Sequence, residues 1–356
     1  MAKDIVLGKI KGKKIVVGPN REPVLIAEVG VLTWGELQRG FRFVDEAKKA
    51  GITLIKFQAF RTDHVVSPSD EFWFNRLKQR ELSKENFFKI KRYAEKQGLL
   101  AFATTHNEYD LVDFAKLGMP ILKIGSGDSN NFRMIDMALK TGKPVIVSLG
   151  LMDKKEAEAV LSRYRRHADR IIFMHCITLY PTPPEAVDLT ILADWRKRYP
   201  EYNIGYSDHT LGLPVALAAT ALGAPIIEKH LCLPEDRIKP KYESYDINVA
   251  LIPSEMKALK DGMREIFMSL QKPPAAIQKI LKKNSPWARK SIVARVPITA
   301  GSIISPDKLV SRRPYLPNKG HISIEHFAKV AGAKATRDIN AGAFITLRDF
   351  GKRRKS

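Results

Sequence analysis

The feature that most constrains the fold is an alternation of short apolar runs and longer helical segments between residues 24 and 270. The runs are rich in β-branched residues, as buried strands are, and several of the intervening amphipathic segments end in glycine. Eight such units over about 250 residues are the number needed for a (β/α)₈ barrel. The runs begin at Val24, Leu54, Leu99, Ile121, Pro144, Arg170, Tyr202 and Pro225. We therefore predict an α/β fold, a TIM barrel, with a doubly wound open sheet as the alternative. That sheet would more often carry a glycine-rich fingerprint after its first strand, and none is present.

A second, smaller module follows the predicted barrel. Residues 271–288 (QKPPAAIQKILKKNSPWA) contain paired prolines and lysines without a strand pattern, which is typical of a linker. Residues 289–356 contain short β-like runs, and the phrases ITAGSIIS and INAGAFIT look alike. We predict a barrel domain over 1–270, a linker over 271–288 and a small β-rich domain over 289–356 that ends in a basic tail.

The chain is strongly basic, with 60 Lys and Arg against 38 Asp and Glu among 356 residues and a formal net charge of +22. These basic residues are spread along the chain, and no RNA-binding or zinc-finger motif is present. We therefore do not expect a nucleic acid as partner. A positive field of this kind would attract a small anionic substrate.

The apolar residues indicate a packed core and neither a membrane segment nor a disulfide framework. No apolar stretch approaches the about 20 residues that span a bilayer, and the N-terminus lacks a secretory pattern. Cys176 and Cys232 both lie in apolar strand-like runs, so we interpret them as core residues in a reducing, cytoplasmic compartment. We also expect Trp34, Trp73 and Trp287 to be buried.

Polar residues cluster where the predicted strands end, which is where barrel enzymes carry their catalytic groups. Lys56 and Lys123 lie inside apolar runs, where a lysine is costly unless it is paired. They either bind a small anion bearing phosphate and carboxylate, or form an internal ion pair with a glutamate. The remaining strand-end candidates are Glu28, Thr104, Ser126, Ser148, Tyr180, Ser207 and Glu228.

Two histidines end the last two predicted strands, in YSDHT (His209) and IIEKHL (His230). Glu228 lies two residues before His230 and faces the same side of its strand. The two imidazoles, together with water and substrate oxygens, would suit an open site for Mn²⁺ or a similar ion. The alternative is two ordinary histidines at strand ends.

Taken together, several strings resemble the sialic acid synthase family, the phosphoenolpyruvate-dependent nonulosonate synthases. They are IAEVG, IKFQ, ILKIGSGDSNN, GKPVIVSLG, MHCITLYPTP, IGYSDHTLG and IIEKHL, in the family order. The strings IVARVPITAGSIISPDKLVSRRP and DINAGAFITLRDF resemble the antifreeze-like (SAF) domain of that family. The resemblance covers nearly the whole chain, from about residue 24 to residue 350.

The resemblance implies a barrel joined to a SAF domain in a domain-swapped homodimer. It implies that phosphoenolpyruvate condenses with an open-chain amino sugar and releases phosphate by C–O cleavage. A divalent metal, usually Mn²⁺ but alternatively Mg²⁺ or Co²⁺, would bind His209 and His230 and polarise the sugar aldehyde.

Other residues are matched to family roles in the same way. Glu28 and Glu228 correspond to the active-site glutamates, and Arg313 corresponds to the SAF arginine that reaches the partner's sugar. Thr178 and Tyr180 fall in the string HCITLYPTP, on the substrate side. The phosphoenolpyruvate contacts would be Lys56, Thr104, Lys123, Ser126, Ser148 and Ser207.

The chain departs from the family pattern mainly on the sugar side. Lys241 falls roughly where an aspartate that contacts the sugar would lie, and this change could favour an acceptor bearing a phosphate or carboxylate. The other departures are Leu32, Thr33, His106, Leu149 and Thr178.

Two other functions remain open from the sequence. One is a different barrel aldolase or lyase that forms a Schiff base at Lys56 or Lys123. The other is a catalytically idle relative that acts as a binding protein, which the altered string VLTWG would permit.

Overall fold

The computed structural model describes residues 1–351, which form two compact units. The first is Met1–Gln271, and the second begins at Lys272. The end of the predicted basic tail, residues 352–356, lies outside the described residues.

The first unit is a closed parallel barrel, as predicted. An antiparallel hairpin of β1 (Ile5–Ile10) and β2 (Lys13–Val17) precedes it. The barrel strands are β3 (Val24–Glu28), β4 (Leu54–Gln58), β5 (Leu100–Thr104), β6 (Leu122–Ile124), β7 (Val145–Ser148), β8 (Ile171–Cys176), β9 (Asn203–Asp208) and β10 (Ile226–His230). They pair in chain order, and β10 closes the ring against β3, which excludes the open sheet.

Helices follow the strands around the barrel, and most of them pack an apolar face against it. They are α1 (Leu37–Lys49), α2 (Thr62–Val65), α3 (Glu71–Lys78), α4 (Lys84–Gln97), α5 (Glu108–Lys116), α6 (Phe132–Lys140), α7 (Lys154–Arg163), α8 (Leu189–Arg198), α9 (Pro214–Ala221), α10 (Pro234–Ile238), α11 (Tyr245–Val249) and α12 (Pro253–Ser269). Their ends follow local chemistry. For example, the Ser83 hydroxyl accepts from the Asn86 amide at the start of α4, and Gly98 ends that helix at φ 90°.

The N-terminal hairpin covers one end of the barrel. Gly8 lies so close to Leu100 that a β-carbon there would be 2.7 Å from the leucine side chain. Asn203 donates from Nδ2 to the carbonyl of Lys3 at 2.8 Å. Both Leu100 and Asn203 begin their strands. The hairpin therefore covers the N-terminal end of the barrel and leaves the C-terminal end as the open mouth.

The second unit has its own small core and little regular structure. It contains α13 (Ala275–Ala288), β11 (Ser291–Ala294), β12 (Leu309–Arg312) and α14 (Phe327–Val330). The two similar phrases of the sequence pair with each other at an antiparallel bridge between Ile298 and Ile339. Each then turns at a glycine of positive φ, Gly301 at 78° and Gly342 at 81°.

The stretch predicted as a linker, residues 271–288, is largely helical. Pro274 stands at the N-cap of α13, where the missing amide hydrogen costs no helical hydrogen bond, and the alanines after it favour a helix. No residue of α13 is fully buried. Among residues 1–351, no helix is long and apolar enough to cross a membrane.

Candidate active site at the barrel mouth

The mouth of the barrel brings the polar strand ends together. Strands β9 and β10 pair so that Ser207 is opposite Glu228, and β10 pairs with β3 so that His230 is opposite Glu28. All four side chains are at least nine-tenths buried. A strand that buries charged groups at its end places them where water is scarce and their interactions are strong.

Lys56 is the centre of the charge cluster. Its Nζ lies 3.1 Å from Glu28 Oε2 and 3.3 Å from Glu228 Oε1, and it donates to Thr104 Oγ1 at 3.4 Å. The structure shows this lysine in the internal ion pair, and its role in binding an anion stays a prediction. Because two glutamates share one lysine here, an arriving anion would compete with carboxylates for the same amine.

The positive charge of Lys123 is less closely compensated by carboxylates than that of Lys56. Its Nζ donates to Ser148 Oγ at 2.7 Å and lies 3.9 Å from Glu228 Oε1. That glutamate oxygen also accepts from Ser207 Oγ at 3.1 Å, whereas Oε2 is buried without a hydrogen-bond partner. An amine between a serine hydroxyl and a distant carboxylate is well suited to an anion.

The two glutamates differ in their preferred protonation. Burial raises the pKa of Glu28 to about 7, although Lys56 opposes the shift. Burial alone would also raise the pKa of Glu228, but Lys123 and Lys56 lower it below its ordinary value. Two carboxylates whose pKa values are pushed apart are typical of acid and base roles in one site.

Three side chains meet around Gly150, and two of them belong to predicted site residues. A β-carbon at this glycine would lie 2.6 Å from Thr178 Oγ1, 2.8 Å from Ser126 Oγ and 2.9 Å from Cys176 Sγ. The Gly150 amide donates to Ser126 Oγ at 3.1 Å, and Thr178 Oγ1 is buried without a partner. The absence of a side chain at Gly150 therefore lets these groups converge.

We predict that Gly150→Ala lowers kcat/KM for the anionic substrate by roughly 10- to 100-fold, because displacing binding groups by about 1 Å costs that much. Steady-state kinetics of the purified variant would measure it. The control is Gly127→Ala, since nothing lies within 4 Å of a β-carbon at Gly127. Equal losses in both variants would contradict the role of the Gly150 contacts.

The histidine pair has the properties of metal ligands. His209 Nδ1 donates to the Ile177 carbonyl at 2.7 Å. This hydrogen bond orients the ring and does not involve Nε2. His230 is buried with Nδ1 unpartnered, and burial lowers its pKa well below the ordinary value, so its imidazole is neutral. The two ring centroids are 5.4 Å apart, and the tilted ring of Tyr180 packs against His209 with the centroids 4.1 Å apart.

These donors fit a divalent ion in an open site, with one proton to displace. Burial alone would lower the pKa of His209, but Cys176 and the Ile177 carbonyl raise it to about 9. A metal at His209 would therefore replace a proton. Within residues 1–351, no group of three or more His, Cys, Asp or Glu side chains is arranged to hold a metal, so the protein itself offers two imidazoles.

Directly behind the histidines, Asp208 and Lys229 form a separate buried pair. Lys229 Nζ donates to Asp208 Oδ2 at 2.8 Å, and both side chains are fully buried. Asp208 Oδ1 accepts from the Tyr206 hydroxyl at 3.1 Å and from the Thr210 amide at 3.0 Å. Because residues alternate along a strand, these two face away from the mouth and hold β9 to β10 beside the histidines.

We predict that Lys229→Met lowers the free energy of unfolding by about 3 to 5 kcal/mol, because Asp208 would keep a buried charge without its cation. Denaturant unfolding would measure it. The control is Lys257→Met, whose lysine pairs with Asp261 at an exposed position and should change stability by less than about 1 kcal/mol. A loss as small as that of the control would contradict the structural role of the pair.

Asp246 is a residue of the mouth that the sequence reasoning missed. Its Oδ2 accepts from the Val31 amide at 3.5 Å, and both this oxygen and the His230 ring border Gly30. Burial raises its pKa. Lys241, which falls roughly where a sugar-side aspartate would lie, is about half exposed and pairs with Glu36.

Other predicted residues divide between the two units. Arg313 lies in the second unit, exposed, with its guanidinium 5.5 Å from the ring centroid of Trp287. Trp34 is buried as expected, but Trp73 and Trp287 are 47% and 62% exposed, so the expectation was wrong for those two. Cys176 and Cys232 are free and buried, as predicted.

Comparison with protein families gives one match in each unit. A model described as the NeuB family matches residues 43–273. A model of the SAF domain matches residues 289–351. These two matches cover most of the chain, in the order predicted from its sequence strings.

Individual proteins are also similar to this chain over most of its length. An uncharacterized protein of Methanocaldococcus jannaschii is 36% identical over 86% of this chain and 89% of its own length. N-acetylneuraminate-9-phosphate synthase of Homo sapiens is 29% identical over 82% of this chain and 84% of its own. A crystal structure of N-acetylneuraminic acid synthetase from Leptospira borgpetersenii, in complex with citrate, has a TM-score of 0.70 and 31% identity, and covers 82% of this chain and 99% of that one.

Proposed function

The chain belongs to the NeuB family, as an enzyme of the phosphoenolpyruvate-dependent sialic acid synthase type, and from that premise we propose that it condenses phosphoenolpyruvate with an open-chain amino sugar. The acceptor would be N-acetylmannosamine or a related aldose. The products would be a nonulosonic acid and inorganic phosphate.

The observation that carries this proposal is the cluster of two lysines, two glutamates and a ring of hydroxyls beside a histidine pair. Phosphoenolpyruvate carries both a phosphate and a carboxylate, so it needs more than one donor group. Lys123 is close to Ser148, and Lys56 is close to Thr104. Ser126, Thr178 and Ser207 add further hydroxyls around the same mouth.

In the proposed reaction, C3 of phosphoenolpyruvate bonds to the aldehyde carbon, and the aldehyde oxygen takes up a proton. Water adds its oxygen to C2 and gives up a proton. The bond between C2 and the bridging oxygen then breaks, and the hydroxyl that water supplied at C2 gives its remaining proton to the departing phosphate, which leaves a ketone.

The residues of the mouth suit the proton transfers of this reaction. Glu28 has a pKa raised to about 7 by burial, so it can both give and take a proton near neutral pH. Glu228 stays ionised beside the two lysines, and its unpartnered Oε2 can stabilise positive charge that develops at C2.

We propose that His209 and His230 hold the metal of this enzyme. A divalent ion bound there, Mn²⁺ or alternatively Mg²⁺ or Co²⁺, would polarise the aldehyde oxygen of the sugar. Tyr180 packs on His209 and restrains its ring. We also retain the prediction of a domain-swapped homodimer, in which Arg313 from one chain contacts the sugar in the barrel of the other.

The test is a phosphate-release screen with phosphoenolpyruvate and a panel of aldoses, with Mn²⁺ and with chelator. We expect release only when phosphoenolpyruvate, an amino sugar and the metal are all present. Absence of release with every amino sugar would contradict the proposal and favour the idle relative that acts as a binding protein.

One observation favours a second candidate function, a Schiff-base aldolase. Burial lowers the pKa of Lys123, which makes its amine more nucleophilic. Lys56 is less suited, because Glu228 and Glu28 raise its pKa even though burial alone would lower it. Borohydride reduction in the presence of a carbonyl substrate would trap a covalent adduct at Lys123 only in the aldolase.

A further inference from the structure

A cavity of about 360 Å³ opens beside the mouth, and its lining includes His106, one of the departures from the family pattern. Val31, Gln58, His106 and Asp246 connect it to the strand ends already described. Phe60, Val65, Trp73, Leu77 and Tyr245 form an apolar wall, and Arg76, Arg80 and Ser244 complete the lining. A pocket with an apolar wall and a few polar groups is the usual form of a small-molecule site.

Two arginines in this lining lack carboxylate partners. Within residues 1–351, neither Arg76 nor Arg80 has an Asp or Glu oxygen within 4 Å. Arg80 is 8% exposed, and its Nε is buried without a hydrogen-bond partner. Burial and Arg76 lower the pKa of Arg80, and Asp246 opposes this shift only from beyond ion-pair distance. The buried guanidinium is therefore only partly neutralised, and an anion would relieve the remaining cost.

The contacts of Arg80 position it without neutralising it. Its Nη1 donates to the Arg76 carbonyl at 3.2 Å, and its Nη2 donates to the Glu243 carbonyl. Carbonyl groups satisfy donors but leave the positive charge in place. Arg80 therefore ties the end of α3 to the loop before α11 and adds a fixed positive potential under the cavity.

Arg76 is the group that can donate to a ligand. Its guanidinium lies 6.0 Å from the ring centroid of Trp73 and 5.7 Å from that of Tyr245. These rings restrain the long side chain, and its donors make no hydrogen bond or ion pair within the described part of the chain. The like charge four residues along, on Arg80, disfavours this arrangement until an anion lies between them.

From this geometry we infer that the acceptor sugar carries an oxyanion, a phosphate ester or a carboxylate, which Arg76 binds over the buried charge of Arg80. Asp246, which lines the same cavity nearer His230, would then face the hydroxyl groups of the sugar. This inference rests on the proposed function, since it names the class of acceptor for the same reaction.

The experiment compares three acceptors with the full-length enzyme, phosphoenolpyruvate and Mn²⁺, by following phosphoenolpyruvate consumption. They are N-acetylmannosamine, its 6-phosphate and the corresponding 6-carboxylate. We expect kcat/KM to favour an anionic acceptor over the neutral one by at least roughly 10-fold, and Arg76→Gln to reduce that ratio by roughly 10- to 100-fold, as the loss of a charge-assisted contact would. A preference for the phosphate alone or for the carboxylate alone identifies the anion.

The matched control is Arg92→Gln, an exposed arginine on α4 outside the cavity, which should leave the ratio unchanged. Arg80→Lys keeps the buried charge and should lower the ratio less than Arg76→Gln. Equal rates for charged and neutral sugars in the wild type, or an unchanged ratio in Arg76→Gln, would overturn the inference while leaving the proposed synthase reaction intact.

If no acceptor reacts, calorimetric titration with N-acetylmannosamine 6-phosphate tests the anion subsite separately from the synthase reaction. Binding that Arg76→Gln weakens and Arg92→Gln does not would support the anion subsite and count against the synthase reaction. Equal binding of the phosphorylated and neutral sugars would remove the subsite itself.

Discussion

His209→Ala and His230→Ala should each lower metal-dependent turnover by roughly 10³-fold or more, equivalent to about 4 kcal/mol of transition-state stabilisation. Each imidazole is buried at the mouth, with His230 Nδ1 unpartnered and His209 oriented by the Ile177 carbonyl. Removing either one leaves a single protein donor for the metal. Phosphate release at saturating phosphoenolpyruvate and sugar would measure the loss.

Metal binding gives a second readout that does not depend on activity. The paramagnetic resonance signal of free Mn²⁺ should fall on titration into wild-type enzyme and should remain in both variants. The control is His167→Ala, because His167 precedes β8 at the opposite end of the barrel. Wild-type Mn²⁺ binding in either mouth variant would remove the metal assignment.

Lys56→Met and Lys123→Met should each reduce kcat/KM for phosphoenolpyruvate by roughly 10²- to 10⁴-fold, which corresponds to the loss of one or two charge-assisted hydrogen bonds. Both amines are buried beside hydroxyl groups and glutamates, so no water replaces them easily. The effect should fall mainly on phosphoenolpyruvate and less on the KM of the sugar. Steady-state kinetics with each substrate varied in turn would separate the two.

Folding has to be separated from binding in these lysine variants. Lys56→Met leaves Glu28 and Glu228 without their shared cation, so thermal unfolding must be recorded alongside the kinetics. Ser148→Ala removes the hydroxyl partner of Lys123 but leaves both lysines in place beside the glutamates, and should cost a smaller part of the same kcat/KM. The matched control is Lys91→Met, since Lys91 is a buried lysine on α4 that pairs with Glu95. Near wild-type kinetics in both lysine variants would contradict their role in anion binding.

The barrel could be predicted from sequence because its strands are buried on both sides. Such strands are nearly continuous apolar runs, and their period differs clearly from that of the helices between them. The N-terminal hairpin was missed because its strands are short and interrupted by lysines and Gly8. The helix α13 was interpreted as a linker because Pro273 and Pro274 were taken as breaks, whereas a proline at a helix start is favourable.

The candidate site was predictable only where side chains belong to strand ends. Register alone brings Glu28, Ser207, Glu228 and His230 together, so their types and positions were sufficient. The sequence could not show that Lys56 bridges two glutamates, because that depends on distances across three strands. The sequence also contains no sign of the residues in or beside the helices that follow β4 and β10, which are Arg76, Arg80 and Asp246. No periodic pattern indicates where such segments lie relative to the mouth.

The central claim, that this mouth condenses phosphoenolpyruvate with an amino sugar by C–O cleavage, is tested most directly with phosphoenolpyruvate labelled with ¹⁸O in its bridging oxygen. The enzyme is incubated with Mn²⁺ and the amino sugar that reacts best, and both products are analysed by mass spectrometry. We expect the label to appear in the inorganic phosphate and the nonulosonic acid to be unlabelled. Label retained at C2 of the acid, or loss of phosphoenolpyruvate without any new nine-carbon acid, would contradict it.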